Sequence, residues 1–492
     1  MQAASSSSIR TSVGVLEILE RRRHLLLLLV IAFLVPRWAM QLTGDRLSGD
    51  ELATARMAVN LVHHGILSNE YGPDPRETMY REPVPPVTAA AGVLLADSVL
   101  GEAPIEEYFS GERARYLKYH HVFWKALAVA GTYALIVALG APWPAALAGA
   151  LLLGTRPDLD TLNTELEAGA LLAVGTAALV VGLRRRSIVP LAAAGAVFGL
   201  TALTKAAFLY VFVGLLAAVA AAMWLMPDDG GRRESPRRIL ASVAVLAAGF
   251  GVVTLPWMYR NYVKLDAFEI SSRAGIVLHL RATHNRMTWD EYKGAFYVWS
   301  RPSLKPLVGA ITGYDETDLA IGGRLQRLNR SGRGEIERID LAAELAGKPE
   351  EALTYYREAR AERVRLVAEL GGRLDPRAAE RAADRELARR AIDSMLAEPL
   401  RHLAMTVPLT WRGAPIYVPV LLIVLAYALK GGRRELLITA VLCTGFIAFY
   451  ALFTHFEVRY SAPLKPLMGA LAIVMLTEAW RLFSRRAGGP SG

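Results

Sequence analysis

The sequence predicts an all-α polytopic membrane protein with about ten transmembrane helices, within a range of about nine to twelve. Hydrophobic residues make up 53% of the 492 residues and are concentrated in separate blocks. Most blocks are about 17–22 residues long, and a helix of that length crosses the roughly 30 Å hydrocarbon core of a bilayer. Short clusters of Lys and Arg flank the blocks, as is typical of helices oriented in a membrane.

The first apolar block follows three consecutive arginines, Arg21 to Arg23. It lacks a convincing small-x-small cleavage site, so we interpret it as an uncleaved first span rather than a signal peptide. The remaining blocks predict nine more spans. The predicted spans are residues 24–42, 120–140, 142–156, 166–183, 188–204, 206–226, 239–258, 413–430, 435–454 and 462–482.

The basic clusters predict the orientation of these spans. The clusters "LRRRS", "GGRRESPRR", "KGGRRE" and "SRR" follow the fourth, sixth, eighth and tenth spans. Since positive clusters mark the cytoplasmic ends of spans, both termini are predicted in the cytoplasm and the protein in the cytoplasmic membrane. The same clusters and one long polar segment contain most of the basic residues behind the net charge of +10. We therefore expect membrane lipids, and no nucleic acid, as partners.

This orientation divides the chain into three regions. Residues 1–258 form an N-terminal transmembrane region whose first external loop, 43–119, is rich in polar residues. Residues 259–412 form a polar extracytoplasmic segment, and its Ala, Glu and Arg spacing predicts charged helices. Residues 413–492 return the chain to the membrane. The predicted active site is extracytoplasmic, because the chemically rich loops all lie on that side.

The stretch "LSGDELATARMAVNLVHHGIL", residues 47–67, predicts an amphipathic helix on the membrane surface. Ser48 and Glu51 have the spacing of a capping box, and Gly65 is a suitable terminator. Two interpretations stay open for Asp50 and Glu51. They cap the helix, where negative charge is favourable, or they face a substrate.

Other predicted external positions also bear charges. "YREPVPPVTAA", residues 80–90, holds an Arg–Glu pair rigid with prolines, and "TRPDLDTLNTE", residues 155–165, carries several acids. Each charged residue alone is explained by an ion pair or by anchoring at the interface. Together they form an unusual group on one predicted face of the membrane. The positions are Arg81, Glu82, Asp158, Asp160, Glu165, Lys205, Arg260, Arg459 and Tyr460.

The order of these pieces resembles the GT-C superfamily of membrane glycosyltransferases. The segments that carry the resemblance are "SGDELATARMAVNLVHHG", "YREPVPP", the acid-bearing turn at residues 155–165, "LTK", "PWMYRN" and "VRYSAP". They are most similar to the bacterial branch that resembles protein O-mannosyltransferases and the lipid A aminoarabinose transferase. The resemblance covers roughly residues 20–300 and 440–482, and no motif is placed in 300–400.

The resemblance implies a hexosyl- or pentosyltransferase that uses a sugar carried on polyprenyl phosphate. The acceptor would be a lipid, a glycan or a protein of the cell envelope. By position, the catalytic acid is Asp50 or its neighbour Glu51, and Asp160 is favoured over Asp158 and Glu165 as the second acid. Arg81 stands where the family often has Lys. The implied substrate-binding residues are Arg81, Glu82, Lys205, Arg260, Arg459 and Tyr460.

Two other classes of protein are compatible with many spans. A secondary transporter or lipid flippase usually has internal repeats and charges near mid-membrane, whereas no repeat is visible here and the predicted spans are nearly free of charge. A scaffold would use 259–412 to bind partners. The residues indicate no cofactor with certainty and leave a divalent cation open. No metal site is predicted, because the adjacent His63 and His64 point to different faces of a helix.

Overall fold

The computed structural model describes residues 20–72, 74–228, 231–330 and 334–487. Within those ranges every regular element is a helix and there is no strand, which confirms the predicted all-α membrane fold. Both termini, for which a cytoplasmic location is predicted, lie outside these ranges. The α-helices are Arg23–Met40, Gly49–His64, Val84–Leu100, Gly111–Lys118, His120–Ala138, Trp143–Gly154, Glu165–Arg184, Ile188–Thr204, Ala207–Leu225, Pro236–Leu265, Ala274–Thr283, Trp289–Val298, Lys305–Thr312, Gly334–Ala346, Tyr355–Gly371, Pro376–Ala397, Pro399–Gly413, Tyr417–Lys430, Arg434–Phe453 and Lys465–Ala487.

Seven helical segments of the described chain are long and apolar enough to cross a membrane, or eight if a helix pair bent by 103° counts as one span. The pair is Pro399–Gly413 with Tyr417–Lys430. The predicted span 142–156 is shortened to the 12 residues of Trp143–Gly154, whereas Ile188–Thr204 has its predicted bounds and 17 residues. The short apolar helix Val84–Leu100 lies in the predicted first external loop.

The chain forms two compact units, and the first contains residues 1–270, 420–443 and 462–492. Its helices approach closely where small residues face a neighbouring backbone. A Cβ atom at Gly195 would lie 2.2 Å from the carbonyl oxygen of Leu246, and one at Gly249 would lie 2.3 Å from that of Ala192. These glycines therefore let Ile188–Thr204 pack directly against Pro236–Leu265, as small residues do in membrane helix pairs.

One end of this unit contains the basic clusters for which the sequence predicts a cytoplasmic location. The buried carboxylate of Glu234 pairs with Arg186 at 3.4 Å, Arg238 at 3.0 Å and Arg434 at 3.3 Å. The helix Glu165–Arg184 has 20 residues, so it spans about 30 Å between its two ends. Its last residue, Arg184, lies beside this network, 3.7 Å from Glu435, whereas Glu165 begins it at the opposite end of the unit.

We expect these two ends to lie on opposite sides of the membrane. Cys443, the single cysteine in the sequence, is buried, so engineered cysteines can be labelled against a low background. A membrane-impermeant maleimide added outside cells should modify Asp74→Cys, in the first loop, but not Ser235→Cys, in the basic cluster. Both positions are exposed. Permeabilised cells provide the control, because Ser235→Cys should then react, and its labelling in intact cells would contradict the orientation.

The second unit contains residues 271–419 and 444–461. Ala274–Thr283, Tyr355–Gly371 and Pro376–Ala397 pack around buried apolar side chains. The buried guanidinium of Arg281 donates hydrogen bonds to the carbonyl oxygens of Ala451 at 2.9 Å and His402 at 2.8 Å. This unit includes most of the segment that the sequence predicts to be helical, and the regular elements of its described part are all helices.

Candidate active site

The helix Gly49–His64 begins after Ser48 and ends at Gly65, whose φ of +72° requires the left-handed conformation that glycine adopts readily. The predicted capping box is wrong, because the side chain of Ser48 makes no capping hydrogen bond. Glu51 instead reaches across to another loop, where its carboxylate accepts a hydrogen bond of 3.2 Å from the backbone N–H of Leu162. Glu51 therefore joins the first loop to the acid-bearing turn.

The carboxylate of Asp50 forms an ion pair with Arg81 at 3.3 Å. The same guanidinium donates a hydrogen bond to the backbone carbonyl oxygen of Asp50. The side chain of Arg81 is 9% exposed, and that of Asp50 is 24% exposed. Two predicted site residues thus meet directly, with the cation buried and part of the carboxylate accessible.

Asp160 is held on both of its carboxylate oxygens. Thr43 donates to them from its backbone N–H at 2.9 Å and from its hydroxyl at 2.6 Å. Buried Lys118 donates to Oδ1 at 2.7 Å. Burial raises the pKa of Asp160, but the hydrogen bonds from Lys118 and Thr43 outweigh it and leave that pKa below its usual value. Because of these contacts, Asp160 is better suited to hold the turn against Thr43 than to accept a proton.

Sequence reasoning missed Lys118 and Lys125. The ammonium of Lys125, whose side chain is completely buried, pairs with Asp158, and Lys465 lies 3.7 Å from the same carboxylate. Lys125 belongs to a candidate span and is an exception among spans whose apolar windows hold at most two charged residues. The sequence held one signal for them. Lys118 and Lys125 are seven residues apart, which places both side chains on one side of a helical segment. Their partners Asp160 and Asp158 are likewise close together in the turn.

Glu82 and Lys205 connect the first loop to the break between Ile188–Thr204 and Ala207–Leu225. The carboxylate of Glu82 accepts a hydrogen bond of 3.0 Å from the backbone N–H of Ala206. The ammonium of Lys205 lies 3.0 Å from a carboxylate oxygen of Glu165. Both residues thus lie where the first loop, the turn and the helix break meet.

Arg260 pairs with a different acid. Its guanidinium lies 2.9 Å from the carboxylate of Glu77 and stacks over the ring of Trp257, 4.7 Å from its centroid. Lys264 pairs with the same carboxylate at 2.6 Å. Arg260 therefore contacts the first loop, but at Glu77 rather than at Asp50 or Asp160.

Arg459 and Tyr460 belong to the second unit. The guanidinium of Arg459 lies 3.1 Å from the carboxylate of Glu457, which also pairs with Arg330 and with His455. The hydroxyl of Tyr460 lies 3.4 Å from Nε2 of His455. Burial raises the pKa of Glu457, but His455 and the surrounding arginines outweigh it and hold that pKa well below its usual range.

The environment of His455 predicts acid sensitivity. Burial lowers its pKa from 6.5 to about 4, although Glu457 acts in the opposite direction. The unfolded chain therefore binds the proton more readily between these pH values, and stability should fall as the pH drops from 6.5 towards 4. The loss would reach about 3 kcal/mol for this residue alone. Thermal unfolding of the purified protein across this range should be less pH-dependent for His455→Asn, and an unchanged dependence would contradict the assignment.

His120, His121 and Glu167 form a separate cluster beside the turn. One ligand atom from each residue lies within 4.8 Å of those of the other two. The argument that adjacent histidines point to different faces applies to His63 and His64. It does not exclude a shared site for His120 and His121, whose ring centroids lie 4.4 Å apart at the start of the helix His120–Ala138. His63 pairs with Asp97 at 3.1 Å.

No family model and no curated protein matches this chain. An oligosaccharyltransferase from Archaeoglobus fulgidus, solved in the apo form, is 14% identical over 94% of this chain and 51% of its own, with a TM-score of 0.49. The archaeal oligosaccharyltransferase AglB from Archaeoglobus fulgidus, solved with an inhibitory peptide and a dolichol-phosphate, is 13% identical over 96% of this chain and 52% of its own, with a TM-score of 0.47.

ArnT from Cupriavidus metallidurans in the apo state is 15% identical over 91% of this chain and 77% of its own, with a TM-score of 0.36. The chain thus spans about half the length of the two oligosaccharyltransferase chains.

Proposed function

We propose that this protein is a glycosyltransferase that moves a sugar from polyprenyl phosphate to an envelope acceptor at the outer face of the cytoplasmic membrane. One observation carries the proposal. In the first unit, the Asp50–Arg81 pair belongs to a loop that Glu51 and Asp160 attach to the acid-bearing turn. Glu82 attaches the same loop to the helix break that bears Lys205.

The contacts of the three acids support different roles for them. Both oxygens of Asp160 accept hydrogen bonds, and Glu51 accepts one from the backbone of the turn, so these two residues position the loops. The carboxylate of Asp50 pairs with Arg81, and its side chain is 24% exposed, so an acceptor hydroxyl can reach it. We assign Asp50, rather than the two acids that join the loops, to take a proton from an acceptor hydroxyl, an effect worth about 10²–10⁴ in rate.

The cations suit the leaving group of this reaction. When the bond between the sugar and the phosphate breaks, the departing polyprenyl phosphate gains negative charge while the sugar becomes cation-like. Arg81 and Lys205 are largely buried, and a fixed cation stabilises developing charge most strongly where water is excluded. The lipid tail of the donor stays in the bilayer, so these loops need to lie at the membrane surface, where the adjoining spans would hold them.

The acceptor class is best identified in cells. Mass spectrometry of envelope lipids, glycans and proteins should be compared between strains with and without the gene for this chain. The proposal predicts loss of one sugar-bearing product, which returns with the wild-type gene but not with Asp50→Asn. An unchanged set of products would count against it. A transporter would instead move its substrate in proportion to an ion gradient, which glycosyl transfer does not require.

Recognition of the donor phosphate by Arg459 is a separate prediction. Its side chain is 40% exposed, so a ligand can reach it. Since a hydrogen bond to a charged group contributes about 1.5–3 kcal/mol, Arg459→Ala should weaken binding of a polyprenyl-phosphate sugar about tenfold or more. Arg459→Lys should restore it only in part, because a point charge lacks the forked geometry of the guanidinium. Binding measured in detergent should be normal for Arg301→Ala, an exposed arginine of the same unit. Unchanged affinity in Arg459→Ala would remove Arg459 from the site.

A further inference from the structure

The cluster of His120, His121 and Glu167 lies beside the proposed active site but takes no part in the proposed reaction. Both histidines are at the start of the helix His120–Ala138, and Glu167 is in the first turn of Glu165–Arg184. The side chain of Glu167 is 1% exposed and that of His120 is 8% exposed, while His121 is 1% exposed as a residue. A buried carboxylate needs a cation or hydrogen-bond donors to offset its desolvation.

The backbone fixes the protonation of both rings. Nδ1 of His120 lies 2.7 Å from the carbonyl oxygen of Leu117, and Nδ1 of His121 lies 3.2 Å from that of Leu159. A carbonyl oxygen only accepts hydrogen bonds, so Nδ1 carries the proton in each ring. In the neutral rings, Nε2 then carries a lone pair that can bind a metal ion. This is the arrangement found in metal-binding histidines, which donate their other N–H to a backbone carbonyl or carboxylate.

The contact between His120 and Glu167 lacks a donor if both groups have their ordinary charge. Nε2 of His120 lies 3.1 Å from Oε1 of Glu167, so two lone pairs face each other unless a proton or a metal cation lies between them. The hydroxyl of Thr88 donates to the same Oε1 at 2.7 Å. The other oxygen, Oε2, is buried and has no hydrogen-bond partner. A buried carboxylate oxygen without a donor is the second, independent sign of an absent cation.

We infer that His120, His121 and Glu167 bind a divalent transition-metal ion of the zinc class. Two imidazole nitrogens and one carboxylate oxygen are ligands that zinc prefers, and three protein ligands leave a fourth position for water or another ligand. Three atoms within 4.8 Å of one another place a central point within about 2.8 Å of each. Small side-chain rotations bring that distance to the roughly 2.0–2.2 Å of zinc bonds.

The ion would join three parts of the first unit. His121 contacts the carbonyl of Leu159 in the turn, Thr88 belongs to Val84–Leu100, and Glu167 lies in the first turn of the helix that follows. An ion at this point would fix the turn that carries Asp158 and Asp160. This inference does not depend on the proposed glycosyl transfer, because the metal is detected by its own content and spectrum.

The test uses the full-length protein purified in detergent, stripped with a chelator and then loaded with zinc. Metal content should reach about one ion per chain for the wild type after removal of excess zinc. Glu167→Gln should bind zinc more than about a hundredfold more weakly, since loss of a ligand should exceed the 10–100-fold effect of outer contacts. The matched control is His64→Ala, an exposed histidine of the first loop, which should bind zinc as the wild type does.

Cobalt provides a second measurement that does not rely on a variant. Cobalt added to the stripped wild type should give the visible absorption of a tetrahedral site, and zinc should displace it. Wild-type protein that retains no zinc and shows no such spectrum would overturn the inference and leave a protonated His120 paired with Glu167. Equal zinc affinity in the wild type and Glu167→Gln would overturn it as well.

Discussion

Asp50→Asn should lower sugar transfer at least about a hundredfold while the protein stays folded. The amide has almost the shape of the carboxylate but cannot take the proton of an acceptor hydroxyl. If Asp50 only favours the start of its helix, the same change should alter stability by about 1 kcal/mol or less and leave transfer intact. Transfer from a polyprenyl-phosphate sugar and thermal unfolding should be measured on the same detergent-solubilised preparations.

Glu51→Gln is the internal control for this result. Its carboxylate accepts a hydrogen bond from Leu162 in the turn, so the amide should weaken the attachment of the turn before it affects the chemistry. We expect a smaller loss of transfer than in Asp50→Asn, accompanied by lower thermal stability. Near-normal transfer by both variants would contradict a catalytic role for the helix Gly49–His64. A loss confined to Glu51→Gln would move the base to Glu51.

Asp160→Ala should destabilise the first unit by about 3 kcal/mol or more. Lys118 is 2% exposed, and removal of its carboxylate partner leaves a buried ammonium without a compensating charge. The loss of one partner from a buried ion pair typically costs about 3–5 kcal/mol. Asp160 also binds Thr43 through two hydrogen bonds, so its removal should loosen the turn and reduce transfer. Chemical unfolding followed by a probe in the first unit measures the effect.

A double variant separates the charge effect from the loss of the turn. Lys118→Met together with Asp160→Asn removes both charges and keeps an amide beside Thr43. This double variant should recover much of the lost stability, because no buried charge is left unpaired. If Asp160→Ala were as stable as the wild type, or if the double variant were the least stable of the set, the structural role of the pair would be contradicted.

The sequence predicted the helical class of the fold and singled out several residues that contact one another in the candidate site. Hydrophobic blocks of membrane length identify most spans without knowledge of their packing. Asp50 and Arg81 were singled out from separate motifs and form an ion pair. Lys205 and Glu82 were singled out likewise and contact Glu165 and Ala206. These residues could be found because a charged residue beside a hydrophobic block is recognised from the sequence alone.

The partners that depend on tertiary contacts could not be found in the same way. The prediction of a capping box was wrong because the carboxylate of Glu51 accepts a hydrogen bond from Leu162, a residue 111 positions away. In the sequence, Lys118 resembles an ordinary lysine at the membrane interface. Its ion pair with Asp160 is formed only when the chain folds. His120 and Glu167 are 47 residues apart, and only the packing of the helix His120–Ala138 against Glu165–Arg184 brings the carboxylate to the two rings. Local patterns carry no information about such contacts.

The most direct test of the central claim is sugar transfer by the purified wild-type protein in liposomes without an ion gradient. The donors would be polyprenyl phosphates carrying radiolabelled hexoses or pentoses, and the acceptors would be envelope lipid, glycan and protein fractions. The proposal predicts that label moves from one donor to one acceptor fraction and that Asp50→Asn lowers this transfer at least about a hundredfold. Absence of transfer from every donor, in a preparation that moves lipid or solute across the liposome only when an ion gradient is imposed, would contradict it.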